Sequence, residues 1–530
     1  MNMFVFDKIQ IRSITALLSI FLSGVAAAQV QNPDAIPLFT RSSVAGTART
    51  AGTGGSFSSV GADLGSMELN PAGLGLYRSS DISITPGLRV GIDQSTYDGL
   101  TTKANHTIPQ FAQAGAVLCK KILERKGSEP GPFALKFISV GINFQTENSF
   151  DRNQNFSAAS NSNSLIDNYT YLANKGYVLP DVQLFVPKGL MGQSSPTTFY
   201  SNVHAPVQQT GNLSTHGAIN KVNLGLGGNL GDKLFFGFSI GVPLLNYTAS
   251  TQMIENNINP DSSGFRGYQL NTSTSESGIG ITGKVGLIYK PAPWVRFGLA
   301  YSLPTWYFLS ENYSADLQYA FDTIQGEYGG SVEPVNYRIR TPMKGTAGLS
   351  FYFKEHGFIS MDYDVQNLGS TRYKFTDPQF SGYNSLYNDY LKSAYGVSHI
   401  VRIGGEAAIK KLRIRAGYSY TSTPFKKGQN YVDSAHNFAI HSATFGLGLK
   451  FKTVYLDLAY VFSYSRDGVS LNYNTPFDPI NSTYMTHSLL LTLGFKIGAK
   501  NDKNNSAPDK TRRRSNGELP KYLDPGDKPY

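Results

Sequence analysis

Six charged residues have types and spacing that could do chemistry together. Asp362 and Asp364, Arg402 and Glu406, and Arg413 and Arg415 stand in three successive apolar-rich stretches and alternate in sign. Lys450, Asp457 and Lys496 extend the series. Charges set among apolar residues of a membrane wall need partners or water. The chemistry this set points to is therefore ion pairing, either as a ladder that braces a wall and seats whatever lies against it, or as a gate for a passing solute. Catalytic sets are harder to assemble. The 8 histidines are scattered singly, and even His436 and His441 do not share the spacing of a zinc or haem pair. Cys119 is the only cysteine, so neither an intrachain disulfide nor a cysteine metal cluster can form. No cofactor and no enzymatic activity are expected, although a lipid-directed triad assembled across strands stays open.

The elements that position these charges are strands. Of 530 residues only 16% are charged and 12% are aromatic, with 32 Tyr, 32 Phe and 54 Gly, a composition that suits the aromatic girdles and crowded inner face of a membrane barrel. Mean hydropathy is −0.23, as expected where only alternate residues meet lipid. Fourteen alternating runs of about the length a tilted strand needs to cross a bilayer occupy 81–93, 106–118, 133–145, 218–230, 233–247, 278–290, 295–306, 343–353, 358–366, 399–409, 412–421, 441–451, 454–463 and 487–498. In the fifth, Phe236, Phe238, Ile240 and Leu244 point one way, and Gly237, Ser239 and Gly241 the other. The fold class is all-β: a transmembrane antiparallel β-barrel of about 14 strands with an N-terminal plug and long extracellular loops.

The same pass divides the chain. Residues 1–28 read as an export signal, with Lys8 and Arg12 before the apolar run 14–25 and Ala26-Ala27-Ala28 at the cleavage site. Residues 29–80 form a hatch, 81–498 the barrel, and 499–530 a disordered basic tail with Arg512-Arg513-Arg514. Tight connections alternate with long ones, the largest 146–217, which puts short turns and both termini on the periplasmic side of a Gram-negative outer membrane. Apolar residues at 165–199, among them Tyr169, Leu184, Phe185 and Met191, are expected to fold over the mouth as a cap. The formal charge of +10 is modest for this length, and no nucleic-acid partner is expected.

The hatch is glycine-rich, with Gly46, Gly52, Gly54, Gly55 and Gly61, and ends in Asn70-Pro71-Ala72-Gly73-Leu74. Thr53-Gly54-Gly55 is no phosphate loop, since no Gly-Lys-Ser/Thr follows. Pro71 and Asn70 favour a defined turn over a loose linker. Gly46-x-Ala48-Arg49-x-x-Gly52-x-Gly54-Gly55, then Asp63, then Asn70-Pro71-Ala72-Gly73-Leu74 resembles the N-terminal hatch of the long-chain fatty acid transporter (FadL-type) outer-membrane family. The resemblance implies passive uptake of hydrophobic small molecules through a channel gated by Asn70, Pro71, Ala72 and Gly73, with membrane lipids and an apolar ligand as partners. The basic tail and longer loops depart from that family. A structural barrel serving a secretion or outer-membrane protein complex, with outer-membrane or periplasmic proteins docked on its loops or tail, also stays open.

The third run changes register. Phe133, Leu135 and Phe137 are odd, whereas Ile138, Val140, Ile142 and Phe144 are even, so a bulge is expected near Phe137, Ile138 and Ser139. Such a bulge either only bends the strand or opens the wall sideways. In the FadL-type family a kinked wall strand serves as a lateral exit, and the resemblance points to these three residues for that role.

Overall fold

The computed structural model describes residues 44, 46–122, 133–174, 182–258, 264–426, 438–469 and 480–498. The export signal, the start of the hatch and the basic tail lie outside the described residues. The first strands are β1 (Ser80–Tyr97), β2 (Leu100–Lys121), β3 (Leu135–Ser149), β4 (Arg152–Asn161), β5 (Met191–Ser195), β6 (Thr198–Ser201), β7 (Val207–Leu230), β8 (Leu234–Asn257), β9 (Phe265–Ala292) and β10 (Val295–Ser302). They are followed by β11 (Trp306–Phe321), β12 (Gln325–Arg340), β13 (Lys344–Tyr352), β14 (Gly357–Asn367), β15 (Arg372–Phe375), β16 (Val397–Ile409), β17 (Leu412–Thr421), β18 (Ile440–Lys450), β19 (Val454–Val469) and β20 (Ile480–Ile497).

Fourteen of these strands close a ring in the order β1, β2, β3, β7, β8, β9, β10, β13, β14, β16, β17, β18, β19 and β20, with β20 pairing back onto β1. Every pair is antiparallel, and closure leaves the wall without an open edge. The fourteen runs read from the sequence are these fourteen strands. Their apolar face is turned outward: Phe236, Phe238, Ile240, Leu489, Leu491 and Phe495 are all exposed, while Ser239 and Thr492 on the opposite face are buried. Three outward tyrosines, Tyr363, Tyr418 and Tyr460, each share a 2.7 Å hydrogen bond with the Nδ1 of a histidine on the next strand, His399, His441 and His487. Together they form part of an aromatic belt.

The long connections differ from expectation. Much of 146–217, 248–277 and 307–342 is strand: β4 prolongs β3, β8 and β9 run on past the lipid-facing band, and β11 and β12 form a hairpin above β10 and β13. Beyond the membrane the outward residues become polar, as at Ser273 and Ser275 of β9. The apolar alternation that marks a strand in lipid is then lost although the ladder continues. In the cap, α3 (Leu165–Asn174) and α4 (Val182–Phe185) precede the β5–β6 hairpin. There Phe185, Leu190 and Met191 pack against Phe265, Tyr268, Leu270 and Leu317, on β9 and β11.

Candidate functional site: a lumenal segment held by the wall

Residues 46–77 lie inside the barrel, almost wholly buried. They contain two short helices, α1 (Ala48–Gly52) and α2 (Ser66–Leu69), and a 3-10 helix over Pro71–Leu76. The segment's apolar residues form only small clusters that the wall completes, as where Leu64, Met67, Leu74 and Tyr77 meet Val117, and polar contacts knit the rest. Asp63 Oδ1 accepts from Thr47 Oγ1 at 2.7 Å, Thr50 Oγ1 at 3.0 Å and Gly65 N at 2.9 Å. The Asn70 side-chain Oδ1 caps the 3-10 helix, accepting from Ala72 N at 3.0 Å, with Pro71 at the first helical position. The Asn70 amide donates to Ser58 O at 2.8 Å and reaches the wall carbonyls of Leu287 and Leu299 at 3.2 and 3.3 Å. Asn70 thus closes the segment on itself and ties it to β9 and β10. Ala72 packs with Phe235 and Ile288, and Gly73 meets Gly61 closely.

The wall is shaped to receive this segment. Gly141, Gly227, Gly237, Gly286, Gly298, Gly348, Gly404, Gly417 and Gly446, on nine different strands of the ring, each face it where a Cβ would crowd or clash with it. At Gly404 a Cβ would stand 2.0 Å from Thr53 O, and at Gly237 one would stand 2.2 Å from the Pro71 carbonyl. Glycine is required there because backbone meets backbone.

Charges complete the seat. Asp362 Oδ2 accepts from the backbone N–H of Phe57 and of Ser58, both at 2.9 Å, and its Oδ1 accepts from Ser58 Oγ at 2.7 Å. Glu406 Oε2 accepts from Arg49 Nε at 3.0 Å and from Arg415 Nε at 2.7 Å, and Arg415 reaches Asp457 at 2.6 Å. Arg402 pairs with Asp364 at 2.8 Å. The expected ladder residues Asp362, Asp364, Arg402, Glu406 and Arg415 are therefore brought together around the segment. Arg413 sits at the margin, 3.9 Å from Glu406, and donates to the carbonyls of Lys410 and Leu412.

A second charged anchor holds α2. Glu68 pairs with Lys284 at 2.8 Å and Lys221 at 3.1 Å, Lys284 also donates to the Glu68 carbonyl, and Lys221 pairs with Glu147 at 2.9 Å. A polar cavity of about 60 Å³ lies beside them, with Thr341, Pro342 and Lys344 on its far side. There the ladder is interrupted. The register of β10 against β13 is the register of β11 against β12, so Pro304 and Pro342 stand opposite each other in the gap. Neither can donate a rung.

No family model and no curated protein matches the sequence. Among solved structures, a Pseudomonas aeruginosa FadL homologue superposes with a TM-score of 0.53 at 11% identity, covering 86% of this chain and 99% of that one. The chain has the fold of that FadL homologue. The Pseudomonas putida toluene transporter TodX gives a TM-score of 0.49 at 15% identity over 86% and 99% of the two chains. The Ralstonia pickettii toluene transporter TbuX gives 0.47 at 15% over 85% and 98%.

Within this FadL-like fold, β3 slips register against β7 twice: between Leu135 and Phe137, at Lys136, one residue before the expected place, and again between Thr146 and Asn148. Ile138 and Ser139 are paired on both sides, to Lys120 and Gly228 and to Cys119 and Gly227. Phe137 carries the Arg78 guanidinium over its ring at 4.5 Å. Lys221, Lys284 and Glu68 were not anticipated. Lys221 and Lys284 share the lumenal parity of Asn223 and Gly286, so the rule that singled out the ladder would have found them. Gly237-Phe238-Ser239-Ile240-Gly241 fits Gly-x-Ser-x-Gly, but Ser239 sits in mid-strand, paired with Gly225 and Lys284. The strand-to-helix turn that presents a nucleophile is not there.

Proposed function

We propose that this chain is an outer-membrane channel for passive uptake of small hydrophobic molecules, with residues 46–77 as its gate and the cap as its entry. The observation that carries the proposal is the character of the lumen above the segment. A water-filled porin is lined by polar side chains, whereas here Tyr247, Tyr307, Tyr337, Tyr373, Phe375 and Tyr395 form one buried cluster under α5 (Asn384–Ala394), whose Leu391 joins it. An apolar solute entering past the cap has to part this aromatic cluster before it reaches the gate, where Asn70, Pro71 and Ala72 touch β8, β9 and β10 and Gly73 packs on Gly61. The turns at 231–233, 293–294, 353–356, 410–411 and 451–453 share one end of the barrel with the starts of β1 and β3 and the end of β20, while β8 and β9 run on past the lipid-facing band at the other, which supports placing the short-turn end in the periplasm. Purified protein in liposomes should speed equilibration of a fluorescent apolar probe and leave a polar dye of equal size outside. Equal rates with and without protein would refute the channel reading.

A further inference from the structure

Four cations stand together on the outward side of the described residues of β12 and β15. Arg338 and Arg340 of β12 face Lys374 and Arg372 of β15 directly across the ladder, and all four are exposed. Like charges placed opposite one another on one face destabilise a strand pair. Among the described residues none of the four has a carboxylate within ion-pairing distance. Two of them are held in place: the Arg338 guanidinium lies 5.1 Å over the Phe308 ring, and Arg372 donates to the carbonyls of Gly369 and Thr371 at 3.1 and 2.7 Å.

Their level on the barrel is the lipid boundary. Arg340 pairs with Trp306 and Arg338 with Phe308, the last large apolar residues to face outward on β11 before Asn312 and Asp316. Across the Pro304–Pro342 break, the same stave continues into β13, where Gly345 and Ala347 form the floor of an outward groove of about 580 Å³. Leu299 and Tyr301 make one side of it, Tyr363 and Val365 the other. Small residues between large ones leave a furrow in the lipid-facing wall, running toward the cations.

We propose that this face binds a phosphorylated, multiply acylated glycolipid of the leaflet on the long-loop side, with its phosphates between Arg338, Arg340, Arg372 and Lys374 and an acyl chain in the Gly345–Ala347 groove. The assignment takes its leaflet from the outer-membrane reading above. Arg and Lys at a membrane surface attract anionic headgroups, and the arginine fork matches phosphate oxygens in pairs. The apolar groove separates a lipid from a free anion.

The test uses the full chain in neutral detergent and a fluorescent diphosphoryl lipid A. R340Q/R372Q should weaken lipid A binding about tenfold or more, and R340K/R372K, which keeps the charge but loses the fork, should weaken it by less. Ala347→Phe, which fills the groove from the lipid side, should weaken it without touching the charges. Each variant is first checked for the heat-shifted gel band of a closed barrel. Unchanged lipid A binding by folded R340Q/R372Q would overturn the inference, as would full displacement by millimolar inorganic phosphate or equal binding of phosphatidylethanolamine. A protein that binds lipid A but fails the probe assay refutes the channel reading alone. One that passes the probe assay and ignores lipid A refutes this inference alone.

Discussion

Arg49 and Arg415 meet on the same oxygen of Glu406, yet they are not equivalent. Arg415 is almost fully buried and also serves Asp457, whereas the Arg49 side chain is 26% exposed. Removing Arg415 leaves two buried carboxylates short of a partner, a loss of about 3–5 kcal/mol for a buried pair broken on one side. Removing Arg49 leaves Glu406 with Arg415. R415A should therefore lower the temperature at which the heat-shifted band unfolds far more than R49A, and equal shifts would show that the network does not brace the wall. Asn70 acts on the segment instead. Asn70→Ala with Pro71→Ala removes a cap of roughly 1 kcal/mol and the contacts to Leu287 and Leu299. The barrel should stay folded while conductance in planar bilayers rises. A closed baseline in this double variant would mean that the turn is not the anchor. At this scale the ladder was legible because a charge at lumenal parity in an apolar strand stands out. Arg49 and Glu68 were not, because α1 and α2 are too short to show a helical period and their partners lie hundreds of residues away.

Strands were the most legible elements, because lipid on one face enforces the period of two. The sequence lost them where lipid ends: β11 and β12 were read as loop since their outward residues turn polar while the ladder persists. The first slip in β3 was visible as a change of parity, but its place moved to Lys136, since pairing with β7 and not side-chain polarity fixes the bulge. The cap illustrates how an element is held away from lipid. Glu255, on the part of β8 beyond the lipid-facing band, accepts from Ser164 Oγ at 2.5 Å and Leu165 N at 2.6 Å at the start of α3, and from Gln209 Nε2 at 2.7 Å. Burial pushes its carboxyl up to about 7 despite these donors. A carboxyl whose folded value is raised favours the folded cap at low pH and loses that contribution as pH rises through about 7. Hydrogen exchange of α3, corrected for intrinsic rates, should therefore show weaker protection at pH 8 than at pH 6. Protection unchanged between the two would remove Glu255 as the anchor of the cap.

The molecule as a whole is a closed ring with a segment lodged in it, and the ring and the segment need each other. The segment's own apolar clusters are small, and the wall completes them with Val117 and Phe358. The wall carries glycines toward its lumen, and the segment fills the space they leave. That mutual fit could not be read along the chain, because the glycines of β7 to β18 look like ordinary barrel glycines until the segment is placed beside them. In the channel proposed above, this segment must move for an apolar solute to pass. That movement is tested most directly by tethering the segment to the wall and measuring probe uptake in liposomes. In a Cys119→Ser background, R49C and E406C would be joined by a short reducible bismaleimide. Uptake of the apolar probe should fall to the protein-free rate in the tethered protein and recover when the linker is cleaved. Undiminished uptake through the tethered barrel would mean that the segment is not the gate.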